Sequence, residues 1–168
     1  MGIGIETERK FIVEIPDISA LSKCDGYTVS RIQQTYLASE RAITHRIRLR
    51  EYADHIEYYE TKKTRLSALS VIEEEKPITR EQYDALLEQM ARGTRTLIKT
   101  RHAVPIGELI YEFDVYPEWQ KSCIMEVELP SEDTVVLLPD FVHVIEEVTG
   151  RREYTNASMA RVFPEERI

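Results

Sequence analysis

Cysteine and histidine are scarce in this chain. Only Cys24 and Cys123 occur among 168 residues, in neither a Cys-x-x-Cys pair nor a zinc-type spacing. Two reduced thiols are expected, with a single disulfide left open. The four histidines (His45, His55, His102 and His143) are scattered, so a histidine-based metal site is not expected. No apolar run is long enough to cross a membrane, and no signal-type apolar stretch follows Met1. A cytoplasmic location without a membrane partner is the expectation. Low-complexity segments, linkers and fixed-period repeats are also missing, which predicts one domain over 1–168. Net positive charge is absent: 22 Lys and Arg stand against 30 Asp and Glu, a formal charge of −8. General nucleic-acid binding is thereby disfavoured.

What the chain does have is charge at every second position. Glu6, Glu8 and Lys10 alternate in the first segment; so do Arg46, Arg48 and Arg50, Glu73 and Glu75, Lys99 and Arg101, Glu112 and Asp114, and Glu126 and Glu128. Alternate side chains of a strand share one face. Each run therefore presents a charged face, and most present an apolar one behind it. Carboxylates beside cations suit a divalent metal and a phosphate held together, because hard cations take oxygen ligands and phosphate takes cationic nitrogen.

Strands are predicted at 3–15, 27–37, 43–52, 56–64, 70–76, 95–104, 108–116 and 122–129, with a turn at Pro105-Ile106-Gly107. A short helix or turn is predicted at 17–23, and helices from Arg80 to Ala91 behind a Thr79 cap and from Asn156 to Val162, with a helical turn starting at Pro130 and a short buried piece over 141–148. Tyr83, Leu86, Leu87 and Met90 form the packing stripe of the second helix. So few helices cannot cover so many strands. Closing the sheet removes its edges and turns the charges onto an enclosed lumen. The fold class is thus α+β, mainly β: an eight-stranded antiparallel closed β-barrel with a few flanking helices.

The order of these motifs resembles the CYTH domain, the triphosphate tunnel metalloenzyme superfamily. The likeness runs from Glu6 to about Ala160. It comprises Glu-x-Glu-x-Lys (Glu6, Glu8, Lys10), Arg-x-Arg (Arg46, Arg48), Thr-x-Lys (Thr61, Lys63), Glu-x-Glu (Glu73, Glu75), Lys-Thr-Arg (Lys99 to Arg101), Glu-x-Asp (Glu112, Asp114), a second Glu-x-Glu (Glu126, Glu128), Glu147-Val148-Thr149 and Tyr154-Thr155-Asn156. Val71 and Thr64 depart from the family pattern, and Lys62 competes with Lys63 for the inward position.

The resemblance implies a triphosphate tunnel working with Mg²⁺ or Mn²⁺. Lys10, Arg46, Arg48, Lys63, Lys99, Arg101 and Arg152 would bind the substrate, with Arg50 as an addition. Glu6, Glu8 and Glu128 would hold a metal, joined by Glu126. Glu73, Asp114 and Glu126 would stand near a second metal or the attacking water as the catalytic set. The implied activity is hydrolysis of inorganic triphosphate or a small organic triphosphate at the terminal phosphorus. The alternatives are an adenylate cyclase of the same fold and a non-catalytic polyphosphate or nucleotide-binding module. The partner is a triphosphate-containing small molecule, and the oligomeric state, a dimer included, stays open.

Overall fold

A computed structural model describes residues 2–168. Its strands are β1 (Gly2–Glu14), β2 (Thr28–Tyr36), β3 (Ile43–Glu51), β4 (Ile56–Arg65), β5 (Ser70–Pro77), β6 (Leu97–Ile106), β7 (Leu109–Val115), β8 (Ser122–Leu129) and β9 (Val144–Glu147). All pairings are antiparallel, in the order β5-β4-β3-β2-β6-β7-β8-β1, and β1 pairs back onto β5 to close an eight-stranded barrel. The expected eight strands are all present. The ninth, β9, lies within the piece expected to be buried and pairs with β1 outside the closed ring. Lying outside the barrel, that piece is mostly surface: Phe141 and Val144 are exposed, Val142 and Ile145 half-buried, and Val148 alone of the five apolar residues is buried.

Register decides which face turns inward. Residues directly opposite one another in a ladder share a face. Glu8 faces Glu128 and Lys10 faces Glu126; Arg101 faces Asp114; Lys63 faces Glu73 and Thr61 faces Glu75. The charged faces of all these strands therefore share the lumen. Lys63 is the inward lysine, while Lys62 pairs with the exposed Glu74 on the outer side.

Two apolar clusters coat the outside of the barrel. One gathers Phe11, Val13, Tyr111, Phe113 and Met125 under helix α1 (Ile18–Leu21) and segment 130–142. The other joins Leu37 and Ile47 to Tyr83 of helix α2 (Arg80–Leu87). A capping box starts α2: the Thr79 side chain accepts from the Gln82 backbone, and the Gln82 side chain accepts from Thr79 N–H. A third cluster is inside the barrel. Ile12, Leu97, Tyr116 and Ile124 continue the inward faces past the charged residues, and Tyr154, Met159 and Ala160 pack on them.

Several element ends differ from expectation. Helix α2 stops at Leu87, and Met90 instead bridges Leu37 and is exposed. Residues 130–134 turn without forming a helix. Strand β6 runs through Pro105 to Ile106, so the turn narrows to Gly107 and Glu108, with Gly107 at φ +62°. The last helix, α3 (Asn156–Met159), is shorter than predicted. Beyond it the tail straps the barrel end: Phe163 packs on Tyr116 and Trp119, Trp119 Nε1 donates to the Pro164 carbonyl, and Glu166 accepts from the N–H groups of Gln120, Lys121 and Ser122.

Strand β1 changes partner along one edge. Residues 2–7 pair with β5, and 11–13 pair with β9. Between them Glu8 N–H donates to the Leu69 carbonyl, Lys10 N–H donates to Thr149 Oγ1, and Val148 N–H donates to the Lys10 carbonyl.

Candidate active site

The lumen is organised by two ionic groups. In the first, Asp114 is fully buried and both its oxygens are taken. Lys99 Nζ donates to one at 2.5 Å, and Arg101 binds both at 2.7 Å. Arg101 also reaches Glu112 at 2.7 Å and Glu126 at 3.1 Å, and Lys10 meets Glu126 at 3.1 Å. Burial lowers Lys99 to about 8 despite Asp114. Burial opposes ionisation of Glu126, but Lys10, Lys99 and Arg101 outweigh it and hold this carboxyl well below the usual range.

In the second group, Lys63 joins Glu6 at 2.5 Å and Glu73 at 3.3 Å. Glu75 accepts from Arg48 at 3.1 Å and from Thr61 at 2.9 Å. Burial, helped by neighbouring cations, lowers Arg48 to about 10. Arg46 differs from the other buried cations of the lumen (Lys10, Arg48, Lys99 and Arg101) in having no ion pair. It is buried, no carboxylate lies within ion-pair distance among the described residues, and its Nε has no hydrogen-bond partner. Burial works against its charge, but the more distant Tyr36, Glu73, Glu6 and Glu75 outweigh it and keep the guanidinium charged.

Two cavities that share Glu6, Glu8, Arg46, Lys63 and Asn156 in their linings follow from this wall. An inner chamber of about 190 Å³ is lined by seven carboxylates and six cations. A mouth of about 790 Å³ is lined by eight cations and two carboxylates. The inner carboxylates crowd one another. Burial and their mutual repulsion raise Glu8 and Glu128, and burial with Glu73 nearby raises Glu6 in spite of Lys63. Among the described residues no three or more His, Cys, Asp or Glu side chains form a ready-made metal cage. That donor set still fits a hard divalent cation arriving with phosphate, since Mg²⁺ is usually held by one or two carboxylates plus substrate oxygens. A triphosphate added to a chamber already richer in carboxylates than in cations also needs further positive charge.

Glu6, Glu8, Arg46, Arg48, Lys63, Glu73, Lys99, Arg101, Glu126 and Glu128 all line the inner chamber; Lys10 lines the mouth. Arg152 stands apart, exposed on a 3-10 turn (Arg152–Tyr154) at the mouth. Asp114 has no free oxygen turned to the cavity, because Lys99 and Arg101 occupy both. Sequence reasoning missed three residues. Gln34 and Tyr36 face Arg48 and Arg46 across the β2–β3 ladder, and Gln34 Nε2 donates to the Tyr36 hydroxyl at 2.6 Å. The inward set of β2 is Ser30, Ile32, Gln34 and Tyr36, too mixed to read as one face. Arg41 reaches the mouth from a loop, where no periodicity marks it.

No protein-family model and no curated protein gives a match to this chain. Among solved structures, it is similar to the inorganic triphosphatase NE1496, at 28% identity and a TM-score of 0.57, over 95% of this chain and 96% of that one. Its architecture is also shared by the PH1819 protein of Pyrococcus horikoshii OT3 (18% identity, TM-score 0.61) and by a Pyrococcus furiosus protein (18%, 0.56), each over 76% of this chain and 80% of the other. The closed eight-stranded antiparallel barrel is the ground common to these likenesses and the motif order. The chain therefore has the CYTH, or triphosphate tunnel, fold.

Proposed function

We propose that this chain is a triphosphatase, hydrolysing inorganic triphosphate or a small organic triphosphate inside the barrel. Arg46 is the observation that carries the reading. A buried guanidinium with no carboxylate partner and an unpaired Nε is arranged for an anion from outside. The likeness to an inorganic triphosphatase over nearly the whole chain points to the same ligand.

Arg46, Arg48 and Lys63 would grip the phosphate oxygens, arginine by its planar fork and lysine as a point charge. Lys10 and Arg101, braced by Glu126, would add fixed positive charge where negative charge develops on the leaving group. Asp114 is then a positioning residue that holds Lys99 and Arg101 in place. Glu73, with one ion-pair partner in Lys63, Glu6 beside it and a side chain 19% exposed, has the access to orient an attacking water. Glu6, Glu8 and Glu128, with Glu126, are the residues that would hold Mg²⁺ or Mn²⁺. Such a metal neutralises phosphate oxygens and lowers the pKa of bound water.

The test is incubation with inorganic triphosphate, thiamine triphosphate and ATP, with Mg²⁺ or Mn²⁺, measuring orthophosphate and cyclic AMP. Orthophosphate release supports the reading. Cyclic AMP with pyrophosphate, or tight binding without any product, replaces it.

A further inference from the structure

A triphosphate in the inner chamber leaves the mouth unexplained. At about 790 Å³ it is some four times larger than the chamber's 190 Å³. Eight cationic side chains and two carboxylates line it, in a chain whose net charge is −8. Arg151 is paired with Glu146 and Glu153, and Arg65 donates to the carbonyls of Ser67 and Ala68. Arg41 and Arg152 have no carboxylate partner among the described residues. The only aromatic side chain among the described residues of the lining is Tyr36, itself 6% exposed. A nucleobase is held by stacking on aromatic faces, and this mouth offers no open one. Its lining offers guanidinium forks and the hydroxyls of Thr44 and Ser158, which suit repeated phosphate oxygens.

We propose that the mouth is a second anion subsite, that it takes the further phosphates of a linear inorganic polyphosphate, and that Arg41 sets the preference for the longer chain. The inference rests on the triphosphate reading of the chamber. The chain end would lie in the chamber and the rest in the mouth. Water oxygen bonds to the terminal phosphorus, the bond to the bridging oxygen breaks, and orthophosphate leaves with a chain one unit shorter. The water protons pass to the products and solvent.

The test compares the whole protein with Arg41→Ser. Calorimetry measures binding of triphosphate, of a polyphosphate of defined length well beyond three units, of ATP and of a 5′-triphosphorylated RNA. Phosphate release is followed in parallel. The native chain should bind the polyphosphate about tenfold or more tighter than triphosphate, one such decade being the worth of a good charge-assisted contact. Arg41→Ser should remove most of that ratio, and added salt should weaken the longer ligand more. Equal affinities, a ratio unmoved by Arg41→Ser, or ATP or RNA binding as tightly as polyphosphate would overturn the inference. Cleavage of triphosphate with no gain for the longer ligand overturns it and leaves the chamber reading standing. If triphosphate is neither bound nor cleaved, the chamber reading fails. The mouth inference, which rests on that reading, then falls with it.

Discussion

Replacing Arg46 by methionine should separate stability from ligand binding. Methionine keeps an unbranched apolar stem in the same place. The native guanidinium has no direct ion pair to lose, and it repels Arg48, which burial and that repulsion have pulled down to about 10. The change in unfolding free energy should stay within about 1 kcal/mol, the range of losing no direct partner. Binding should suffer far more, because truncating one member of a buried charge contact costs about 2–5 kcal/mol. The assay is thermal unfolding with and without the imido analogue of triphosphate, which resists hydrolysis. At a concentration near 100 times the native dissociation constant, ligand adds about 2.7 kcal/mol to the native protein. A domain of this size moves by about 2–4 °C per kcal/mol. A loss of even 2 kcal/mol in affinity leaves less than about 1 kcal/mol of that stabilisation. An Arg46→Met protein that melts several degrees lower, yet gains as much from the analogue as the native one, would refute the reasoning.

Asp114→Ala should behave in the opposite way, losing about 3–5 kcal/mol of stability because Lys99 and Arg101 are left buried without their partner; chemical denaturation at neutral pH measures it, and a native-like midpoint would mean the two cations find other partners. Glu8→Gln should weaken Mn²⁺ binding in calorimetry by about tenfold or more, since losing even a group that only orients a metal ligand costs about that much, and unchanged binding would move the donors elsewhere. The tail strap should loosen in acid. Backbone N–H groups, that of Lys121 foremost, lower Glu166 to about 2, so its contribution is complete above the ordinary carboxylate range and is lost as pH falls towards 2. Trp119 is the one tryptophan and touches Phe163 and the Pro164 carbonyl, so its fluorescence should report that release, and Glu166→Gln should abolish the pH response.

Strict alternation of charge makes most of the lumen legible in the amino-acid sequence. In Glu6-x-Glu8-x-Lys10 or Glu126-x-Glu128 the apolar partners leave one face to choose, and the barrel follows. Where the pattern is mixed, the sequence is mute. Lys62 and Lys63 differ only in register, which the β4–β5 ladder supplies. The role of Asp114 depends on Lys99 and Arg101 one strand away, which sequence distance hides. The closure of the barrel interior rests on Tyr154 and Met159, held in elements too short to carry a period, and on Phe163 in the irregular tail.

The first strand swaps one neighbour for another beside Glu8 and Lys10, and there the wall is stitched by isolated contacts, one of them from a threonine hydroxyl. Barrel walls resist solvent because each amide is locked by a run of others on both sides. Here the amides of two charge-bearing residues depend on a hairpin tip and a late turn keeping their places. Deuterium should enter at Glu8 and Lys10 sooner than at Ile12, and an occupied tunnel should slow it there first.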